Sequence, residues 1–245
     1  MKVTLPEETS KNFQSCKEIV PKSMKNMLII GEDHPRYFPP EIAQKIINLE
    51  KYLIDNFNPD IIFLEGCEYI REDFLLSIRH SIMKAWGYDI ELIEPSKELE
   101  EKFKDYLRKK FNIFYLDEPS RWVRAGLGYA KIPFLKRHFL IEDEDLIIQE
   151  IWYLLDQDRE EVFQRVFCKT LNLKGCERVV LICGTGHVEG FINNIKDYLE
   201  KYNTSCKVVI INSNYYKDEY GTLDRVKKSL EKYNVEYEII ELTSS

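Results

Sequence analysis

Long apolar runs and a surplus of positive charge are both missing from this chain of 245 residues. No run approaches the roughly 20 apolar residues of a membrane-spanning helix, and residues 1–26 lack the apolar centre of a signal peptide. Acidic side chains (42) outnumber basic ones (35), for a formal charge of −7. Because no surplus of cations is available to neutralise a phosphate backbone, we expect a cytoplasmic protein with no nucleic-acid or membrane partner.

Paired cysteines are also missing, and histidine is scarce. The six cysteines show no C-x-x-C spacing, so the pattern excludes a zinc ribbon and predicts reduced thiols. There are four histidines. We interpret His80 and His138, which lie in charged segments, as caps or structural residues. The other two share one sequence context, which makes them the candidates for chemistry.

That shared context is an apolar strand followed by Gly-x-x-His and then a helix. The first copy runs from Met27 to His34 (MLIIGEDH) and the second from Val179 to His187 (VVLICGTGH). Parallel strands end at the edge of a sheet where open α/β folds bind ligands, and glycine permits a sharp turn there. We therefore expect His34 and His187 at one edge, accessible and little buried. Glu65, which follows the apolar run 61–64, should lie beside them.

The hydrophobic pattern predicts an α/β fold with a central, mostly parallel sheet made of two β-α-β-α-β halves. The length suits a single domain over residues 1–245. The last strand alternates, with Glu on one side, which is typical of an edge strand. Besides the two strands above, we predict strands at 61–64, 90–93, 208–211 and 235–240, and helices at 41–57, 70–86, 188–202 and 222–233.

Residues 96–172 differ in character from both halves. They have a mostly charged helical pattern, with 111–115 as a short extended piece and apolar stripes such as Val162, Phe163, Val166 and Phe167. We interpret this stretch as a helical insertion. It either covers the site as a lid or wall, or forms a plain packing layer.

Two imidazoles and a carboxylate suit two kinds of hydrolysis. In the first, His34, Glu65 and His187 bind a divalent metal ion that lowers the pKa of a bound water. In the second, a histidine beside a carboxylate takes the proton from water without a metal. The sequence leaves both mechanisms open.

Four motifs, taken in order, resemble those of a known superfamily, which joins TraB/Tiki-type metalloproteases, erythromycin esterases and ChaN-like haem-binding proteins. The resemblance spans residues 27–191 and implies one pocket formed by His34, Glu65, Arg159 and His187, with Arg159 stabilising an oxyanion. The motifs are Gly31-Glu32-Asp33-His34, Leu64-Glu65, Arg159-Glu160-Glu161-Val162-Phe163 and Gly184-Thr185-Gly186-His187.

The resemblance implies a hydrolase that acts on an ester, amide or peptide bond of a small-molecule or peptide substrate. Its ChaN-like branch implies the alternative, a non-catalytic protein that binds haem, a metal or a small ligand. Pro35, Glu160 and Phe163 depart from residues common in the superfamily. The resemblance therefore does not extend to a substrate class.

Other roles compete at single positions. Glu65 could cap a following helix, and Arg159 could form a solvated salt bridge with Asp156. Gly184-x-Gly186-x-x-x-Gly190 also resembles a dinucleotide-binding turn. That interpretation needs an acidic residue after the next strand, where the chain has Asn212-Ser213, and His187 would crowd the phosphate. We therefore favour the shared histidine site.

Overall fold

The computed structural model describes residues 24–66, 94–117, 159–171, 176–201, 203–214 and 221–242. The predicted helix 70–86 and strand 90–93 lie outside these ranges. The strands are β1 (Asn26–Glu32), β2 (Ile61–Leu64), β3 (Asn112–Tyr115), β4 (Arg178–Gly184), β5 (Ser205–Asn212) and β6 (Glu236–Glu241). The helices are α1 (Pro40–Phe57), α2 (Lys97–Lys110), α3 (residues 159–171), α4 (Thr185–Lys201) and α5 (Thr222–Lys232), and a 3₁₀ turn covers Pro35–Tyr37.

These strands form one parallel sheet in the order β3-β2-β4-β1-β5-β6. The predicted α/β fold with a central parallel sheet is therefore confirmed. β1 and β4 lie side by side at its centre, where their continuous apolar runs are buried on both faces. Their register sets Glu32 opposite Gly184, so both Gly-x-x-His segments leave the sheet at the same edge.

Each face of the sheet carries an apolar layer. On one face, Phe163 and Phe167 of α3 pack with Val188 and Phe191 of α4. On the other face, α1 and α2 contribute the buried side chains Ile46, Ile47, Ile54, Phe103 and Leu107. Fully burying a side chain of this size stabilises the fold by about 1.5–3 kcal/mol. The two layers thus fix the strand ends from both sides.

The start of the predicted insertion belongs to the sheet itself. β3 pairs with β2 in parallel and forms one edge of the sheet, so the extended piece at 111–115 is a strand. At the other edge, β6 leaves Glu236, Glu238 and Glu241 exposed, as predicted for an edge strand. The four cysteines among the described residues form no disulfide. None of the described helices is long and apolar enough to cross a membrane.

Candidate functional site

The carboxyl edge of β1, β2 and β4 brings the four predicted site residues together around one carboxylate. Glu65 directly follows β2. Its Oε2 lies 3.6 Å from His34 Nε2, and its Oε1 lies 3.6 Å from His187 Nε2. Arg159, from α3, places Nη2 2.5 Å from the same Oε1. The Glu65 carboxylate thus lies between two imidazoles and a guanidinium.

The end of β4 explains how the second histidine reaches this carboxylate. β4 ends at Gly184 and α4 begins at Thr185, three residues before the predicted start at 188. His187 therefore lies in the first turn of α4. The Gly184 N–H donates a hydrogen bond of 2.8 Å to Glu65 Oε2. A Cβ at Gly184 would lie 3.4 Å from both that oxygen and His34 Nε2. A methyl group at this position would therefore be in van der Waals contact with both side chains.

Glu65 is held in its charged form. Burial acts to raise its pKa, but Arg159, His187 and His34 together hold the pKa of Glu65 well below its usual value. Its side chain is 11% exposed. Because it is nearly buried and stays ionised, the Glu65 carboxylate is a fixed negative charge that stabilises positive charge on the side chains around it.

Arg159 is anchored from behind by Asp117, whose side chain is fully buried. Arg159 donates from Nε to Oδ1 at 3.0 Å and from Nη2 to Oδ2 at 2.9 Å, a bidentate geometry suited to a guanidinium. Oδ2 also accepts a bond from the N–H of Gly66. The solvated alternative for Arg159 is therefore wrong. Asp117 was missed, although it follows β3 as Glu65 follows β2.

Each imidazole has a second carboxylate on its other ring nitrogen. Glu32 Oε1 lies 3.3 Å from His34 Nδ1, and Glu160 Oε1 lies 3.5 Å from His187 Nδ1. Of the two acidic residues between Gly31 and His34, the structure brings Glu32 into the site. The hydroxyl of Ser213 donates a hydrogen bond to Asp33 instead.

The two histidines differ in accessibility. The His34 side chain is 32% exposed and the His187 side chain 8%. His187 packs edge-on against Phe163, with ring centroids 5.2 Å apart. The expectation of two accessible residues is therefore wrong for His187, because α4 starts early and α3 covers its ring. Of the two imidazoles, His34 is the one that a substrate can readily approach.

Both imidazoles favour the protonated form. Burial acts to lower the pKa of His34, but Glu65 and Glu32 raise it well above its usual value. For His187, burial and Arg159 act to lower the pKa, but Glu65 and Glu160 raise it to about 10. Arg159 Nη1 lies 3.1 Å from His187 Nε2. This contact becomes a hydrogen bond only when His187 is neutral, because an imidazolium has no lone pair to accept it.

The predicted metal ligands do not fit a divalent ion in this arrangement. His34, Glu65 and His187 converge as expected, but the guanidinium of Arg159 lies against Glu65 and His187, where the ligand atoms would meet. Among the described ranges, no group of three potential ligands could hold a metal ion. A cation already neutralises the carboxylate on which such a site would depend.

Comparisons with known proteins identify no family for this chain. No family model matches this chain, and no curated protein does. The chain is similar to the solution NMR structure of a de novo designed protein with a P-loop NTPase fold. That likeness covers 90% of this chain and 85% of the designed one, at 10% identity and a TM-score of 0.33. A likeness this loose carries no argument about function.

Gly190 has a role different from the one a dinucleotide-binding turn would give it. A Cβ on Gly190 would collide with the carboxylate of Glu160, so this glycine makes room for the side chain beside His187 Nδ1. A carboxylate at this position also repels a phosphate. The arrangement therefore argues against dinucleotide binding.

We expect Gly190→Ala to lower the pKa of His187 and to stabilise the protein less than Gly186→Ala does. The new methyl group displaces Glu160, and Glu160 raises that pKa. Gly186→Ala is the matched control, because the nearest atom to its Cβ is 4.0 Å away and alanine favours a helix over glycine by up to about 1 kcal/mol. Histidine NMR titration and thermal unfolding measure both effects. If the two variants behave alike, Glu160 does not occupy the space at Gly190.

Proposed function

We propose that this protein is a metal-independent hydrolase acting on an ester, amide or peptide bond of a small-molecule or peptide substrate. The observation that carries the proposal is the partly exposed imidazole of His34, with Glu32 at Nδ1 and Glu65 near Nε2. A histidine between carboxylates is suited to general acid–base work because its ring is oriented and its charged form is stabilised.

His34 is the proton carrier in this proposal. In its neutral form, Nε2 takes a proton from water attacking the substrate carbonyl, and the resulting imidazolium returns the proton to the leaving group. Because the carboxylates raise the pKa of His34, the neutral form becomes populated only as the pH rises. Hydrolysis should accordingly accelerate with increasing pH above neutrality.

Arg159 supports the developing negative charge. Of the five N–H donors of a guanidinium, one on Nε and two on Nη2 point to Asp117 and Glu65, and one on Nη1 is accepted by His187 Nε2 only when that imidazole is neutral. One Nη1 hydrogen is left for the oxyanion of a tetrahedral intermediate. Asp117 and Glu65 hold the guanidinium in place for this role.

The test is a panel of chromogenic esters, amides and peptides, presented to protein treated with a chelator. We expect hydrolysis of at least one class, faster at higher pH, and a loss of about 10²–10⁴-fold in His34→Ala, the usual contribution of a positioned acid–base group. Tyr52→Ala is the control, because Tyr52 is 65% exposed on α1, and its activity should be unchanged.

Three results contradict the proposal: no hydrolysis of any class, hydrolysis only after a divalent metal is restored, or full activity in His34→Ala. A Soret band in the purified protein, combined with no hydrolysis, supports the haem-binding alternative. Such a band arises from a bound porphyrin such as haem, so one absorbance spectrum tests the alternative directly.

A further inference from the structure

Glu50 is a fully buried carboxyl group, and no cation of the described residues neutralises it. It lies on the apolar face of α1 with Ile46, Ile47 and Ile54, and its exposed fraction is 0%. Neither of its oxygens has a hydrogen-bond partner among the described residues. Burying a charged carboxylate in this way costs several kcal/mol. A glutamate at this position is therefore expected to be neutral, and its O–H then needs a hydrogen-bond acceptor.

The carboxyl groups facing Glu50 are those of Glu32, on β1, and Glu100, on α2. Glu100 is already engaged by Arg36 at 2.5 Å and Lys104 at 3.0 Å. Glu32 uses Oε1 for His34, and its buried Oε2 has no partner in the described part of the chain. Glu32 is thus the neighbour whose Oε2 can accept a hydrogen bond from Glu50. It is also the residue that contacts the His34 ring.

One proton satisfies both carboxyl groups. Two buried carboxylates side by side repel each other, so one of them takes up a proton. Burial and Glu32 raise the pKa of Glu50 well above its usual value. Glu32 faces the imidazole of His34, whereas the described residues around Glu50 are carboxyl groups and the apolar layer. The proton therefore belongs on Glu50.

We propose that Glu50 is a positioning residue for His34: its protonated carboxyl group donates a hydrogen bond to Glu32, which in turn fixes the His34 ring. The bond to Oε2 orients the Glu32 carboxylate and leaves Oε1 directed at His34 Nδ1. With Nδ1 held, the His34 ring presents Nε2 to Glu65 and to the accessible side of the site. The catalytic meaning of this role rests on the proposed function, but the arrangement itself needs no substrate to be tested.

Two variants separate positioning from packing. Glu50→Gln retains a hydrogen-bond donor of similar size, whereas Glu50→Leu retains the volume but has no donor. Infrared spectra of the wild type near neutral pH should show the carbonyl stretch of a buried protonated carboxyl group, and both variants should lack it. Persistence of that band in both variants, or its absence from the wild type, overturns the proposal.

The second readout is the NMR titration of His34, assigned with His34→Asn. In Glu50→Leu, Glu32 loses the hydrogen bond that directs its Oε1 at His34 Nδ1, so the midpoint of His34 should fall. In Glu50→Gln it should stay near the wild-type value, and His187 should be unchanged in both variants. If the His34 midpoint is the same in Glu50→Leu as in the wild type, Glu50 is a purely structural residue and the proposal is overturned.

Turnover then links this role to the proposed function. We expect Glu50→Leu to lower kcat by about 10-fold or more with little change in KM, and Glu50→Gln to restore it, since outer partners of a histidine typically contribute 10–100-fold where this has been measured at metal sites. If the spectroscopic results hold and no substrate is hydrolysed, the proposed function fails while the positioning role stands. If hydrolysis is found and Glu50→Leu turns over like the wild type, the positioning role fails alone.

Discussion

Replacing Arg159 by methionine should lower the free energy of unfolding by about 3–5 kcal/mol, the usual cost of removing one partner from a buried ion pair. Methionine retains an apolar stem against Phe163 but leaves Glu65 and the fully buried Asp117 without their cation. Because an uncompensated buried carboxylate is strongly unfavourable, the loss should exceed that of an ordinary surface substitution. Urea unfolding followed by circular dichroism measures it.

Arg108→Met is the matched control. Arg108 pairs with Asp105 and Tyr115, but its side chain is 42% exposed, and exposed pairs contribute about 0–1 kcal/mol. Arg159→Lys should fall between the two in stability, because an ammonium lacks the planar fork that spans Asp117 and Glu65. It should also reduce turnover strongly, with a modest effect on substrate affinity. Equal losses of stability in Arg159→Met and Arg108→Met would contradict the buried network.

Glu65→Gln should lower the pKa of both imidazoles at once. Glu65 is the carboxylate common to His34 and His187, and it raises the pKa of each. Glutamine removes the charge and retains one acceptor oxygen, which can serve Arg159 or the Gly184 N–H but not both. Two single-sided controls accompany it: Glu32→Gln removes a charge beside His34 alone, and Glu160→Gln removes one beside His187 alone. Each of these two substitutions should lower chiefly the pKa of the imidazole that the replaced glutamate contacts.

The same substitution should change how stability depends on pH. A histidine whose pKa is raised by folding stabilises the protein fully below its unfolded pKa of roughly 6.5. That stabilisation is lost as the pH rises through the folded pKa, which is about 10 for His187. The lowered pKa of Glu65 works in the opposite direction, since its contribution is lost on acidification. Glu65→Gln should therefore flatten the stability profile on both sides of neutrality.

The central sheet was predictable because its strands are apolar without interruption. Runs such as Met27–Ile30 and Val179–Ile182 are buried on both faces of a parallel sheet, and no other element of such length suits that environment. β3 was harder to recognise. Its four residues are partly exposed at the sheet edge and follow a charged helix, so the surrounding pattern indicated a helical insertion.

Strand ends made part of the site predictable. His34, Glu65 and His187 follow apolar runs, and the same rule applied to 111–115 would have found Asp117. Arg159 lies in a charged helical run, where a solvated pair is the usual outcome, so only the resemblance singled it out. Glu50 carried a signal that was not used: it occupies the apolar face of α1 in step with Ile46, Ile47 and Ile54.

The convergence of both Gly-x-x-His motifs on Glu65 is tested most directly by NMR titration of the histidine Cε1 protons in the wild type and Glu65→Gln. We expect two wild-type midpoints above the usual histidine range, assigned to His34 and His187, both of which fall in Glu65→Gln. Glu32→Gln should lower chiefly the midpoint of His34, and Glu160→Gln chiefly that of His187. If only one midpoint falls in Glu65→Gln, or neither does, the two histidines do not share a carboxylate and the single-site account is wrong.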